Sequence, residues 1–99
     1  MEPELAERFG RSLWRCRRQS GMSQAELACL IDLHPVEISL LERGRRVPRL
    51  DTILKVAAGV QASPCVLLAG LRWQPGYTVE GRFWIEERSE PHRVAAGRS

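Results

Sequence analysis

Lysine is almost missing from this sequence: Lys55 is the only one among 15 basic residues, and arginine supplies the rest. Arginine suits planar, bidentate recognition of phosphate and carboxylate, and an arginine-heavy chain also arises from genomic base composition, so both readings stand. Aromatic residues are scarce at 6%, and there are three cysteines, Cys16, Cys29 and Cys65. An odd number with no short spacing makes neither a closed disulfide framework nor a C-x-x-C metal knuckle. All three are expected to be small core hydrophobes. No apolar run approaches the roughly 20 residues that span a bilayer, and no membrane partner is expected. The opening Met1-Glu2-Pro3-Glu4 is acidic, unlike the basic-then-apolar start of a signal peptide, so the expectation is a cytoplasmic protein. Nucleophile elbows, P-loops and paired catalytic carboxylates are absent. His34 falls at a helix cap, and His92 has no acidic or thiol cluster beside it. The sequence therefore predicts no enzyme, no cofactor and no metal.

What is present is a chain of 99 residues, 43% hydrophobic and 27% charged, with a formal net charge of +3. A chain this short buries only about 60–65% of its unfolded surface. It has room for one domain with a modest core and not for a roomy substrate pocket.

Periodicity and caps predict five helices. From Pro3 to Ser20, Leu5, Phe9, Leu13 and Cys16 form one stripe, with acids at the start and arginines at the end as the helix dipole prefers. After Gly21, Ser23 and Glu26 make an S-x-x-E capping box, while Met22 and Leu27 make the flanking hydrophobic staple. A short second helix follows, and Asp32-Leu33-His34-Pro35 breaks it. His34 takes the next cap, with Pro35 as first helical residue, and a third helix runs from Pro35 to Arg43 before Gly44. Leu50, Ile53, Leu54 and Ala57 mark a fourth helix; Ser63-Pro64 opens a fifth, which Gly70 ends. Beyond Leu71 the texture changes. Trp73-Gln74-Pro75-Gly76 reads as a turn and Gly81–Ile85 as a short strand, and 87–99 as a disordered tail. The domains expected are thus 1–71, helical; 72–86, an extension; and 87–99, the tail.

Two short helices joined by a tight turn, with the small Ala28 at the crossing and Leu33, Ile38 and Leu41 locking the angle, describe a helix-turn-helix unit. Its second helix has an outer face free to enter a DNA major groove. Ser23-Gln24-Ala25-Glu26-Leu27-Ala28, then Ile38-Ser39-Leu40-Leu41-Glu42-Arg43-Gly44, then Pro48 and Leu50, resembles the Cro/C1-type (XRE) regulators over about Phe9 to Leu68. The resemblance implies an all-α, five-helix lambda-repressor-like DNA-binding domain. It implies a sequence-specific, double-stranded-DNA-binding transcriptional regulator, cytoplasmic and nucleoid-associated. Carried over by residue, Gln24 would hold a phosphate with the backbone N–H groups around it. Arg17 and Glu42 match a family ion pair, read here as structural. Arg43, Arg45 and Arg46 would meet the sugar-phosphate backbone, and His34, Pro35, Val36, Ser39 and Leu40 would form the recognition face. The runner-up is a protein-interaction module, antitoxin-like or partner-binding, that keeps the fold and uses the apolar Pro35-Val36-Leu40 face.

The sequence departs from the family pattern at several places. Asp32 and Gln61 stand where glycine is common, which implies left-handed backbone at roughly 1 kcal/mol each. Arg49 replaces a Ser-like cap. Neither Gln nor Asn is placed for adenine, Arg43 alone can address guanine, and Glu37 brings a negative charge close to the groove. Trp73, Tyr77, Phe83 and Trp84 hold four of the six aromatics. Either they fold back on the helices over Trp14, or the strand Phe83-Trp84-Ile85 pairs with its copy in a homodimer. The second is favoured, because a lone strand leaves its backbone unsatisfied.

Overall fold

The computed structural model describes residues 3–76 and 81–86. Tyr77, His92 and the stretch 87–99, expected as a tail, lie outside the described residues. The chain divides between Ala69 and Gly70 into two units.

The first unit holds α1 (Pro3–Gln19), α2 (Gln24–Leu30), α3 (Pro35–Glu42), α4 (Leu50–Gly59) and α5 (Pro64–Leu67), the five helices that the sequence predicts. Local chemistry sets their starts. Ser23 Oγ accepts from the Glu26 N–H at 3.0 Å, and the Glu26 carboxylate accepts from the Ser23 N–H at 2.8 Å, closing the capping box of α2. His34 Nδ1 accepts from the Val36 N–H at 3.1 Å and caps α3, with Pro35 behind it. Ser63 Oγ does the same for Cys65 at 3.1 Å and opens α5. Arg49 gives α4 no side-chain cap. Asp32 and Gln61 adopt φ of 62° and 60°, the left-handed backbone expected of them.

One buried cluster draws on every helix: Phe9 and Leu13 from α1, Leu27 from α2, Ile38 and Leu41 from α3, Val56 from α4 and Leu67 from α5. Cys16 joins it. Cys29 and Cys65 do not; both are exposed, which corrects the expectation that all three thiols lie in the core. Leu27 and Ala28 turn one side of α2 inward, and Cys29, the next residue, falls on the opposite side. In α5 the core position is taken by Leu67.

The second unit is a two-stranded antiparallel sheet of β1 (Leu71–Gln74) and β2 (Arg82–Ile85). The strand expected to lack a partner has one in its own chain, and only Pro75 and Gly76 of the expected turn lie outside β1. Leu71-Arg72-Trp73-Gln74 alternates apolar with polar, a strand pattern that the neighbouring Pro-Gly obscured. The register pairs Leu71 with Ile85, Arg72 with Trp84, Trp73 with Phe83 and Gln74 with Arg82. Because successive side chains alternate faces, Leu71, Trp73, Phe83 and Ile85 share one face and Trp84 belongs to the other. The Trp73 and Phe83 rings meet at 4.9 Å between centroids, tilted by 59°. On the polar face Arg72 bridges Glu86 at 2.9 Å. Among the described residues no helix is long and apolar enough to cross a membrane.

Candidate nucleic-acid interface

The turn from α2 to α3 is closed by the Leu33 N–H, which donates to the Ala28 carbonyl at 2.9 Å. Ala28 is fully buried, and its bare methyl lets α3 pack close. Ile38 and Leu41 turn the inner side of α3 into the core. The outer side is left to solvent. His34, Pro35 and Arg43 are exposed, Ser39 and Leu40 are half-buried, and Val36 keeps 56% of its surface in water.

The end of α3 is anchored from beneath. Glu42 is a carboxylate with only 3% of its side chain exposed, and Arg17 retains 9%. Arg17 Nε donates to Glu42 Oε2 at 2.6 Å and Nη2 to Oε1 at 3.0 Å, a bidentate fork. Arg17 Nη1 reaches the Met22 carbonyl at 2.8 Å, and Gln24 Nε2 donates to Glu42 Oε1 at 3.0 Å. One carboxylate thus ties α1, the entry to α2, and α3. Its hydrogen bonds raise the Arg17 guanidinium above its ordinary range, against the opposite pull of burial. Gln24, which the resemblance assigns to a phosphate, stands at the start of α2 with its amide nitrogen held by Glu42.

Two glycines permit this geometry. At Gly10 a β-carbon would collide with the Leu41 carbonyl oxygen and lie 2.7 Å from that of Glu42, so α1 and α3 cross backbone to backbone there. Gly44 has φ of +72°, and a β-carbon on it would sit 2.8 Å from Glu7 Cα. The chain turns against α1 at that point and sends Arg45 and Arg46 outward, both exposed. Arg46 Nη1 lies 3.5 Å from Glu37 Oε2, with 49% and 41% of the two side chains exposed. Such an open, long pair contributes at most about 1 kcal/mol. Arg43 Nε points back to the Ser39 carbonyl at 3.4 Å.

The structure therefore gathers His34, Pro35, Val36, Ser39, Leu40, Arg43, Arg45 and Arg46 on α3, its cap and the loop that follows. It also joins Arg17, Gln24 and Glu42 beneath that helix. Phe83, Trp84 and Ile85 belong to the second unit. Sequence reasoning passed over Gly10, whose only signal was a glycine inside a good helical pattern. It also passed over the Glu37–Arg46 pair. Among the described residues no group of three or more His, Cys, Asp or Glu could hold a metal ion.

Residues 8–79 match the model of the helix-turn-helix domain family. Solved structures agree. The restriction-modification controller protein C.AhdI from Aeromonas hydrophila is 34% identical, with 66% of this chain and 94% of that one covered at a TM-score of 0.64. The clp gene regulator ClgR from Corynebacterium glutamicum is 31% identical, covering 65% and 82% at 0.63. A hypothetical transcription factor, NHTF, from Neisseria is 29% identical, covering 69% and 79% at 0.62. No curated protein sequence matches the chain. With the family model spanning both the crossing of α2 with α3 and the arginine loop, the chain belongs to the helix-turn-helix family and is a DNA-binding regulator of the Cro/C1 (XRE) type.

Proposed function

We propose that the chain is a sequence-specific transcriptional regulator that lays α3 in the major groove of double-stranded DNA, in the cytoplasm and on the nucleoid. The observation that carries this reading is the solvent face of α3, continuous with two exposed arginines in the next loop and clamped from below at Glu42. Phosphate contacts fix position and base contacts specify. Arg43, Arg45, Arg46 and Gln24 take the sugar-phosphate backbone. His34, Pro35, Val36, Ser39 and Leu40 face base edges, where Pro35, Val36 and Leu40 suit thymine methyl groups.

The proposed state is a homodimer, because one such helix covers too few base pairs and two copies can read half-sites about 34 Å apart. Its interface includes β2 residues Phe83, Trp84 and Ile85, since a two-stranded hairpin is marginally stable alone. Sedimentation at micromolar concentration, with and without a duplex selected from a random pool, tests both parts. The expected result is a dimer that loads two chains per duplex and prefers the selected duplex to a scrambled one by about 1,000-fold or more. A monomer removes the dimer, and equal affinity for both duplexes removes sequence specificity.

A further inference from the structure

We propose that Glu37 is a base-reading residue of α3 that selects cytosine, and that Arg46 is its partner only in the DNA-free protein. The inference rests on the reading of α3 as the groove-binding helix.

Glu37 is the third residue of α3, beside Val36 and one turn before Leu40. Its N–H donates to the His34 carbonyl at 2.9 Å, so the first turn is formed and the side chain leaves from fixed backbone. It pairs with Arg46 at 3.5 Å, with 41% and 49% of the two side chains exposed. A pair of that length and exposure is weak and exchangeable. A DNA phosphate competes for the same guanidinium with full negative charge and with release of condensed counterions. Arg46 therefore moves to the phosphate when DNA arrives.

The carboxylate is then left beside a groove flanked by phosphates. Stranding one partner of a charge pair at an interface is costly, and the DNA must supply a donor. Only amino groups can do so in the major groove. Guanine presents N7 and O6, and thymine presents O4, all acceptors that repel a carboxylate. Adenine offers its N6 amino group next to the N7 lone pair, so one atom attracts and its neighbour repels. Cytosine offers the N4 amino group alone, the donor that Glu and Asp take in direct readout. Pro35, Val36 and Leu40 can discriminate by methyl contact only, and Glu37 adds a hydrogen-bonding criterion that the rest of the face has in short supply. The selection works largely through penalty: a wrong base leaves a carboxylate unpaired against an acceptor.

The test is selection of bound duplexes from a random pool by the full chain and by Glu37→Gln, followed by titration of single-site variants of the selected duplex. The unmodified chain is expected to enrich cytosine at one fixed position of each half-site, and a C-to-T change there to weaken it about tenfold or more. Glu37→Gln is expected to move that position toward adenine, whose N6 and N7 suit an amide, with the other positions unchanged. Glu37→Ala should lose preference at that position alone. An enriched motif identical for the chain and Glu37→Gln, with uniformly tighter binding to every duplex, overturns the inference and leaves Glu37 as a charge that merely screens Arg46. A chain that enriches no motif overturns sequence-specific binding itself, and this inference with it.

Discussion

Glu42→Ala is expected to destabilise the helical unit by about 3–5 kcal/mol, the cost of removing one partner from a buried ion pair. The side chain has three donors on it, from Arg17 Nε, Arg17 Nη2 and Gln24 Nε2, and only 3% of it is exposed. Without it the Arg17 guanidinium keeps its bond to the Met22 carbonyl but loses its counter-charge. A domain of this size is stable by only roughly 5–15 kcal/mol, so the variant should lose a large share of its folded population on mild heating. The comparison that isolates the cause is Arg17→Met with Glu42→Leu. Replacing both members of a buried pair with apolar residues is often nearly neutral, and the double variant should recover much of the loss. Urea titration followed by far-UV circular dichroism reads both. A loss below about 1 kcal/mol for Glu42→Ala would put the pair in the class of exposed surface bridges and remove it as the anchor of α3.

Gly10→Ala is expected to go the opposite way from helix propensity. In an open helix alanine is better than glycine by about 1 kcal/mol. Here the added methyl meets the backbone carbonyls of Leu41 and Glu42, which cannot rotate aside as a flexible side chain would. To make room, α3 must withdraw, pulling Ile38 and Leu41 away from the cluster they share with Phe9 and Leu13. Overpacking of this kind costs about 1–3 kcal/mol, occasionally more, and a backbone collision belongs at the upper end. The melting temperature should fall by about 10 °C or more. A rise instead would mean that α1 and α3 are not in backbone contact at Gly10.

Those two residues mark where the sequence could be read and where it could not. Helix starts were legible because their causes are local: Ser23 with Glu26, His34 with Pro35 and Ser63 with Pro64 each announce a cap within a few residues. The left-handed backbone at Asp32 and Gln61 was legible too, through a family pattern that places glycine there. Gly10 was not, because nothing within α1 says which helix will cross it. Cys29 and Cys65 were misread because cysteine's general preference for burial says nothing about the face on which a particular one falls. The partner of β2 was hidden because Leu71–Gln74 is four residues long and runs into Pro75-Gly76, which reads as a turn. At the interface the residue types of α3 and its loop were in view, but Glu37 lies nine positions before Arg46, and only the fold brings their charges together.

The central claim, that α3 and its following loop form the DNA face, is tested most directly by the salt dependence of binding. The measurement compares the unmodified chain with Arg45→Ala/Arg46→Ala on a selected duplex and on a scrambled one. Loop arginines on phosphates supply affinity without sequence information, so the double variant should bind both duplexes more weakly by the same factor. Its slope of log K against log salt should be shallower by about 0.9 for each phosphate that the variant no longer neutralises. A variant whose affinity and slope both match those of the unmodified chain would contradict the account and place the DNA elsewhere on the molecule.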